Sequence, residues 1–313
     1  MPDMNSAQKK AFDGLQESKA LAPQLRASAK AAAKDMFESG DLRDYLNLLK
    51  NMHSYDAYNL ILILQQFPRA TCLAGFKVWQ RLLSDPRAMV LKPEWRGKGI
   101  DLVAPFTDIL SPNERRLVWF AVKQFDISQT NVKYSLPPSV YVQDQAHLSL
   151  LVESACNAIG NEYHRRVYHC ASDPAMKASG LIGQMSEYTI SIRDDASFSA
   201  QLQWLVECMS TLHGEADKLP SPCRPLLHEC VKYALWNAWS LEHPPSLYAY
   251  RNKIRSISDE IQMELLDAIR RTFRALEESI AAAYVLCREE KAVKDSIKEL
   301  DEDILANELR PPI

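Results

Sequence analysis

Glycine is scarce in this chain, nine in 313 residues, too few and too scattered for an elaborate phosphate-cradling loop. The sequence contains no G-x-x-x-x-G-K-[ST], no G-x-G-x-x-G and no G-x-S-x-G, which sets aside P-loop, dinucleotide and nucleophile-elbow chemistry. Its seven cysteines, at 72, 156, 170, 208, 223, 230 and 287, include no C-x-x-C pair. Such an odd, unpatterned set argues against a disulfide framework and a zinc knuckle, and the expectation is buried reduced thiols. No apolar run approaches the roughly 20 residues of a membrane helix, so no membrane partner is expected. The opening residues M-P-D-M-N-S-A-Q-K-K lack the apolar core of a secretory signal, and a cytoplasmic protein is expected.

An apolar share of 47% with 25% charged residues is ordinary for a globular protein, and the length suggests two domains. The net charge of -3 hides an asymmetry. Residues 1–150 carry 19 Lys and Arg against 15 Asp and Glu, and the remainder 18 against 25, so nucleic-acid contact is expected in the first half.

Residues 5–37 are rich in helix formers, with Pro23 predicting a break before a second helix at Leu25–Glu38. Asp41 is placed to cap a helix through Tyr45, Leu46, Leu49 and Met52. The run Leu60–Leu64 is apolar on every side and should be buried all round until Pro68 ends it. Short β-like runs follow at Cys72–Phe76, Met89–Leu91 and Ile100–Val103. Gly97-Lys98-Gly99 reads as the tight turn of a hairpin joining the last two. Leu117–Phe125 is a further strand, and residues 128–146, with Pro137-Pro138, read as a linker. The second half predicts a helix at His147–Gly160, strands at Arg166–Cys170 and Tyr188–Ile192, and helices at Ser199–His213 and Leu226–Leu241. Leu247–Ala306 reads as one long or once-broken helix, with Ile254, Ile257, Ile261, Leu265, Ile269 and Leu276 near heptad spacing, suited to packing or dimerisation.

Segment 68–99 holds Arg69, Lys77, Arg81, Arg87, Lys92, Arg96 and Lys98 against only Asp85 and Glu94, interleaved with Phe76, Trp79 and Trp95. Cations neutralise phosphates and aromatic faces stack bases, so the mixture suits single-stranded nucleic acid. It equally suits a small sheet whose aromatics are core and whose charges are a solvated face. Asn59, polar within an apolar helix, is either an internally satisfied amide or a contact residue. Zinc hydrolases place two His at i and i+4 on a helix with a Glu after the first. Here Glu207 is present, but Val206 and Ser210 stand where those His would be, and after His228-Glu229 the cation of Lys232 blocks i+4. Glu207, His213 and Glu229 are either a cryptic metal site or ordinary helix-surface and helix-end residues.

The blocks Y-N-L-I-L-I-L-Q-Q-F-P-R-A-T-C-L-A-G-F-K-V-W-Q (58–80), R-G-K-G-I-D-L-V-A-P (96–105) and V-K-Q-F-D-I-S-Q-T (122–130) resemble the ArdC-like antirestriction family. The matching positions are Asn59, Pro68, Ala70-Thr71, Ala74-Gly75-Phe76, Trp79 and Gly99-Ile100, while Leu82–Trp95 departs with an apparent insertion. The resemblance implies an N-terminal single-stranded-DNA-binding domain and a C-terminal zincin-like metallopeptidase domain of the ImmA/IrrE type, typically encoded on plasmids and conjugative elements. Leu205–His213 falls at the family's H-E-x-x-H helix and Glu229 at its third zinc ligand. With both His absent the carried-over site fails, since a metal needs its ligand count.

The expected fold is therefore α+β and predominantly helical, with a small N-terminal sheet domain, a zincin-like helical domain and a long C-terminal helix. Its expected divisions are 1–135, 145–245 and 246–313. The expected function is single-stranded-DNA binding through Asn59, Arg69, Lys77, Trp79, Arg81, Arg96 and Lys98 in an antirestriction-like role, with no catalytic residue, cofactor or metal. The alternative is a regulatory factor whose C-terminal half binds a protein partner.

Overall fold

A computed structural model describes residues 6–83, 89–111, 114–133, 140–141, 146–170, 174–242 and 244–308. Arg87 and Asp85 of the basic segment, and most of the expected linker, lie outside the described residues. The described part is a predominantly helical α+β fold with two three-stranded sheets and a long C-terminal helix.

The first helix, α1 (Ser6–Ser39), runs straight through Pro23 where a break was expected. A proline inside a helix costs about 3 kcal/mol. The offset is tertiary: Ala22, Ala29, Ala33 and Phe37 form one buried stripe along α1. Then come α2 (Arg43–Met52) and α3 (Ala57–Gln66). The carboxylate of Asp41 takes the backbone N–H of Arg43 at 3.0 Å, and Asp56 caps α3 through the N–H of Asn59. Leu60 to Ile63 are buried and Leu64 is half-buried, so that turn is enclosed nearly as expected.

Strand β1 is only Leu73–Gly75, because Phe76 opens the short helix α4 (Phe76–Arg81) instead of extending the strand. β2 (Ile100–Ser111) and β3 (Glu114–Asp126) form an antiparallel ribbon much longer than the expected strands, and the sheet order is β1-β3-β2. The expected hairpin at Gly97-Lys98-Gly99 does not form. Leu91 bridges Thr130 rather than β2, and Gly97 takes a left-handed φ of 76° in a turn closed by Lys98 N–H on the Trp95 carbonyl.

The chain continues with α5 (His147–Tyr163), β4 (Arg166–Cys170), α6 (Pro174–Ala178), β5 (Gly183–Met185), β6 (Thr189–Arg193) and α7 (Phe198–Leu212). In the sheet β4-β6-β5, β6 runs parallel to β4 and antiparallel to β5. A Cβ on Gly183 would lie 2.2 Å from the Ser191 carbonyl and from the Trp204 indole nitrogen, so only glycine lets these elements close. α8 (Arg224–Ala238), α9 (Arg251–Arg255) and α10 (Asp259–Glu308) follow, the last two being the expected long helix broken once. Ile254, Leu265, Ile269 and Leu276 of its heptad-like stripe are fully buried.

Packing divides the chain into two compact units. One comprises Met1–Pro137 with Leu219–Phe273, and the other Pro138–Lys218 with Arg274–Ile313. The segment 145–245 thus contributes to both. In the first unit the C-terminal end of α1 is closed by guanidinium groups from α9. Arg251 and Arg255 donate to the Ser39 and Glu38 carbonyls at 3.1–3.2 Å, where the helix leaves acceptors unpaired.

Candidate nucleic-acid interface

The sheet of the first unit is held by buried polar groups from the same blocks that carry the family resemblance. Asn59 on α3 donates from Nδ2 to the Val103 carbonyl and accepts the Val103 N–H on Oδ1, both at 2.8 Å. Seven residues on, Gln66 does the same with Asp101, at 2.9 and 2.8 Å. Residues seven apart lie on one helical face, and residues two apart on a strand point to the same edge. Two side-chain amides thus replace a neighbouring strand along the outer edge of β2. The next edge position is Pro105, which has no N–H to satisfy. The free edge is thereby blunted, which protects the strand from pairing with another chain.

Asp126, fully buried, closes the other end of the sheet. Its Oδ2 accepts the N–H groups of Thr71 and Cys72 at 2.7 and 3.0 Å, and its Oδ1 accepts the N–H and hydroxyl of Ser128 at 2.9 and 2.6 Å. Gln129 returns an acceptor to the Asp126 N–H at 2.8 Å. A buried carboxylate without a cation needs several donors, and this one has five, the Thr71 hydroxyl adding a long bond of 3.5 Å to Oδ2. Trp79 is 2% exposed and lies in a cluster with Val90, Leu91, Phe125 and Val132. Its indole N–H donates to the Phe125 carbonyl at 2.8 Å.

Asn59 and Trp79 are therefore occupied by the fold. The other five expected contact residues, Arg69, Lys77, Arg81, Arg96 and Lys98, are all exposed. Among the described residues none of the five enters an ion pair, whereas Lys92 donates to the Ser128 carbonyl and Lys123 pairs with Asp101. Arg96 makes a contact of 2.8 Å with the Met89 sulfur. Lys77 and Arg81 are one turn apart on α4. Arg96 and Lys98 flank Gly97, and Trp95 in that loop packs edge-on against Phe67, two residues before Arg69. Phe76, 44% exposed, is an aromatic side chain available to a base in this segment, and Trp79 is not. Sequence reasoning missed the structural parts of Gln66, Asp126 and Gln129. The seven-residue step from Asn59 to Gln66 was the available signal for the first.

In the second half, Val206 and Ser210 on α7 are fully buried. Glu207 beside them is half-buried, and His213 is the C-terminal cap of α7. Glu229 is on α8, within the first unit's segments, and is salt-bridged to Lys232 at 2.5 Å. Among the described residues no three His, Cys, Asp or Glu side chains are grouped to hold a metal ion.

No protein-family model matches the chain, and no curated protein matches it. Among solved structures it is similar to the Mn(II)-bound antirestriction ArdC protein from plasmid R388, at 11% identity and a TM-score of 0.47. That alignment covers 82% of this chain and 97% of the other. A likeness of that strength carries no argument about what this chain does.

Proposed function

We propose that the first unit binds single-stranded DNA through Arg69, Lys77, Arg81, Arg96 and Lys98, in an antirestriction-like role of shielding DNA. The observation that carries this reading is the set of five exposed cations, without acidic partners among the described residues, around the Trp79-centred sheet. Exposed Phe76 beside Lys77 supplies a face for an unpaired base, and the sequence resemblance of residues 58–130 supports the same reading. Each neutralised phosphate contributes about 0.7 to the slope of log affinity against log salt for single strands. Replacing Lys77, Arg81 and Lys98 together with Ala should lower that slope by about 2 and weaken binding on the order of 10- to 100-fold near physiological salt. Fluorescence anisotropy of a labelled oligonucleotide across a salt series measures both. Salt-independent affinity, or a triple variant that binds like wild type, would sink the reading.

The second half acts without peptidase chemistry in this proposal. Its support is the burial of Val206 and Ser210 in the α7 core at the positions of the two missing imidazoles. Peptide hydrolysis that depends on added metal and disappears in Glu207→Gln would refute it.

A protein contact through the C-terminal half is the second reading, favoured by exposed Leu286, Val293 and Ile297 on α10. Their spacing of seven and four suits a facing helix, and a second copy of this chain supplies one. With Val293 and Ile297 at core positions, Glu289 and Lys294 meet across a parallel pair. A light-scattering mass of one chain at high concentration would exclude that partner.

A further inference from the structure

Away from the loops just described, α1 and β3 enclose a groove of about 480 Å³, its lining including Lys19, Arg26, Lys30, Arg116, Leu117 and Trp119. Among the described residues the lining includes four cations and no carboxylate. Lys19, Arg26 and Lys30 stand at i, i+7 and i+11, so α1 presents them on one face. None of the four forms an ion pair among the described side chains. Arg26 is instead stacked between two rings, 4.1 Å from the centre of Tyr58 and 4.6 Å from that of Trp119. The stack fixes the half-buried Trp119 indole as a wall, and exposed Leu117 lies on the same lining. Past Arg26 the charge reverses. The adjoining hollow shares Arg26 and Trp119 but is lined by Asp56, Glu260, Glu264 and Asp267, with Arg271 bonded to Asp267.

We infer that this groove is a second track for the single strand, in which Lys19, Lys30 and Arg116 meet phosphates and a base rests against Trp119 and Leu117. The inference rests on the reading that this unit binds single-stranded DNA. Cations without carboxylates attract a polyanion, and the acidic hollow beyond Arg26 repels it, so the strand is confined to one side. An acidic peptide would satisfy the lysines but would leave the indole and Leu117 without a flat partner, which a base provides. Salt dependence comes from the phosphates and tolerance of sequence from the aromatic wall.

The test separates this groove from the loop cations. Both lysines are exposed on α1, so they carry the experiment. Lys19→Ala/Lys30→Ala exchanges two exposed residues of a helix for the strongest helix former, and circular dichroism checks that the fold is kept. Anisotropy against salt should show a slope lower by about 1.4 than wild type, from two lost phosphates. Photocrosslinking of a bromouridine-substituted single strand should map to Trp119 by mass spectrometry. An unchanged slope together with no crosslink at Trp119 overturns the groove, while the Lys77/Arg81/Lys98 variant still reports on the loops. A lowered slope in the lysine variant with a wild-type slope in the loop variant upholds the groove and removes the loops from the site. Failure of wild type to bind single strands overturns both.

Discussion

The two sheets treat charge differently. Around β1-β3-β2, the buried polar groups Asn59, Asp126 and Gln129 are bonded to backbone, and the cations Arg69, Lys77, Arg81, Arg96 and Lys98 stand outside, without acidic partners among the described residues. Around β4-β6-β5, several charges are settled locally, although Arg166 on β4 is exposed. Arg193 binds Asp195 at 2.8 Å, Lys177 reaches the same carboxylate at 3.3 Å, and His169 meets Asp194 at 3.1 Å. A surface whose charges are already partnered has little to offer a polyanion, and one whose cations are not has much. The difference locates the proposed DNA contacts on one sheet, and it can be broken at several points.

The largest effect should come from removing what the first sheet is built on. Trp79→Ala empties a buried site and strands the Phe125 carbonyl, which should cost about 3–5 kcal/mol in urea unfolding. DNA binding should fall with it because the loops lose their support. If the variant loses DNA binding at unchanged stability, Trp79 is a contact residue and the division between buried framework and exposed contacts is wrong.

The amide pair on α3 gives a graded version of the same test. Asn59→Leu leaves the buried N–H and C=O of Val103 without partners, and unsatisfied buried groups cost about 1–3 kcal/mol each. Gln66→Leu should cost much less, since its bonds to Asp101 lie at the exposed end of the edge where water replaces them. Equal losses in chemical denaturation would mean that the edge acts as a unit. By contrast, Ala at Lys77, Arg81 and Lys98 should move stability by no more than about 0.5 kcal/mol while changing DNA affinity.

How far the sequence revealed this arrangement depended on the range of each signal. Five consecutive apolar residues at Leu60–Leu64 leave a helix no solvent face, so burial there was readable. Trp79 was not, because an indole among cations has the same local sequence whether it packs in a core or stacks on a base. Only its hydrogen bond to Phe125 decides. β2 runs on through Pro105, past the expected end at Val103. The proline is tolerated because Asp101 and Val103 turn their backbone groups to the outer edge, and by the two-residue period Pro105 does too. Pro23 hid the continuity of α1, which tertiary burial maintains. β5, three residues long, is too short to carry a pattern. The groove was invisible for another reason. Lys19 and Lys30 look like the solvated face of an Ala- and Lys-rich helix until the fold brings Arg116 and Trp119 beside them.

The smallest effect sharpens the comparison from the second sheet. The guanidinium of Arg193 holds the Asp195 carboxyl down to about 2, from an ordinary 3.8, with Lys177 adding to the depression. A carboxyl depressed in the folded state stabilises it fully above the unfolded value and loses that contribution as pH falls through the folded value. The window is therefore between about pH 4 and pH 2, and nothing should change near neutrality. Carbon-detected NMR should show Asp195 ionised when ordinary carboxylates have already taken up protons. Arg193→Gln should return its titration toward 3.8, because the largest cause of the depression is gone. In the same variant the salt slope for single-stranded DNA should match wild type. If removing this one paired cation lowers the slope, the second sheet also touches the strand, and local pairing does not withdraw a charge from DNA binding.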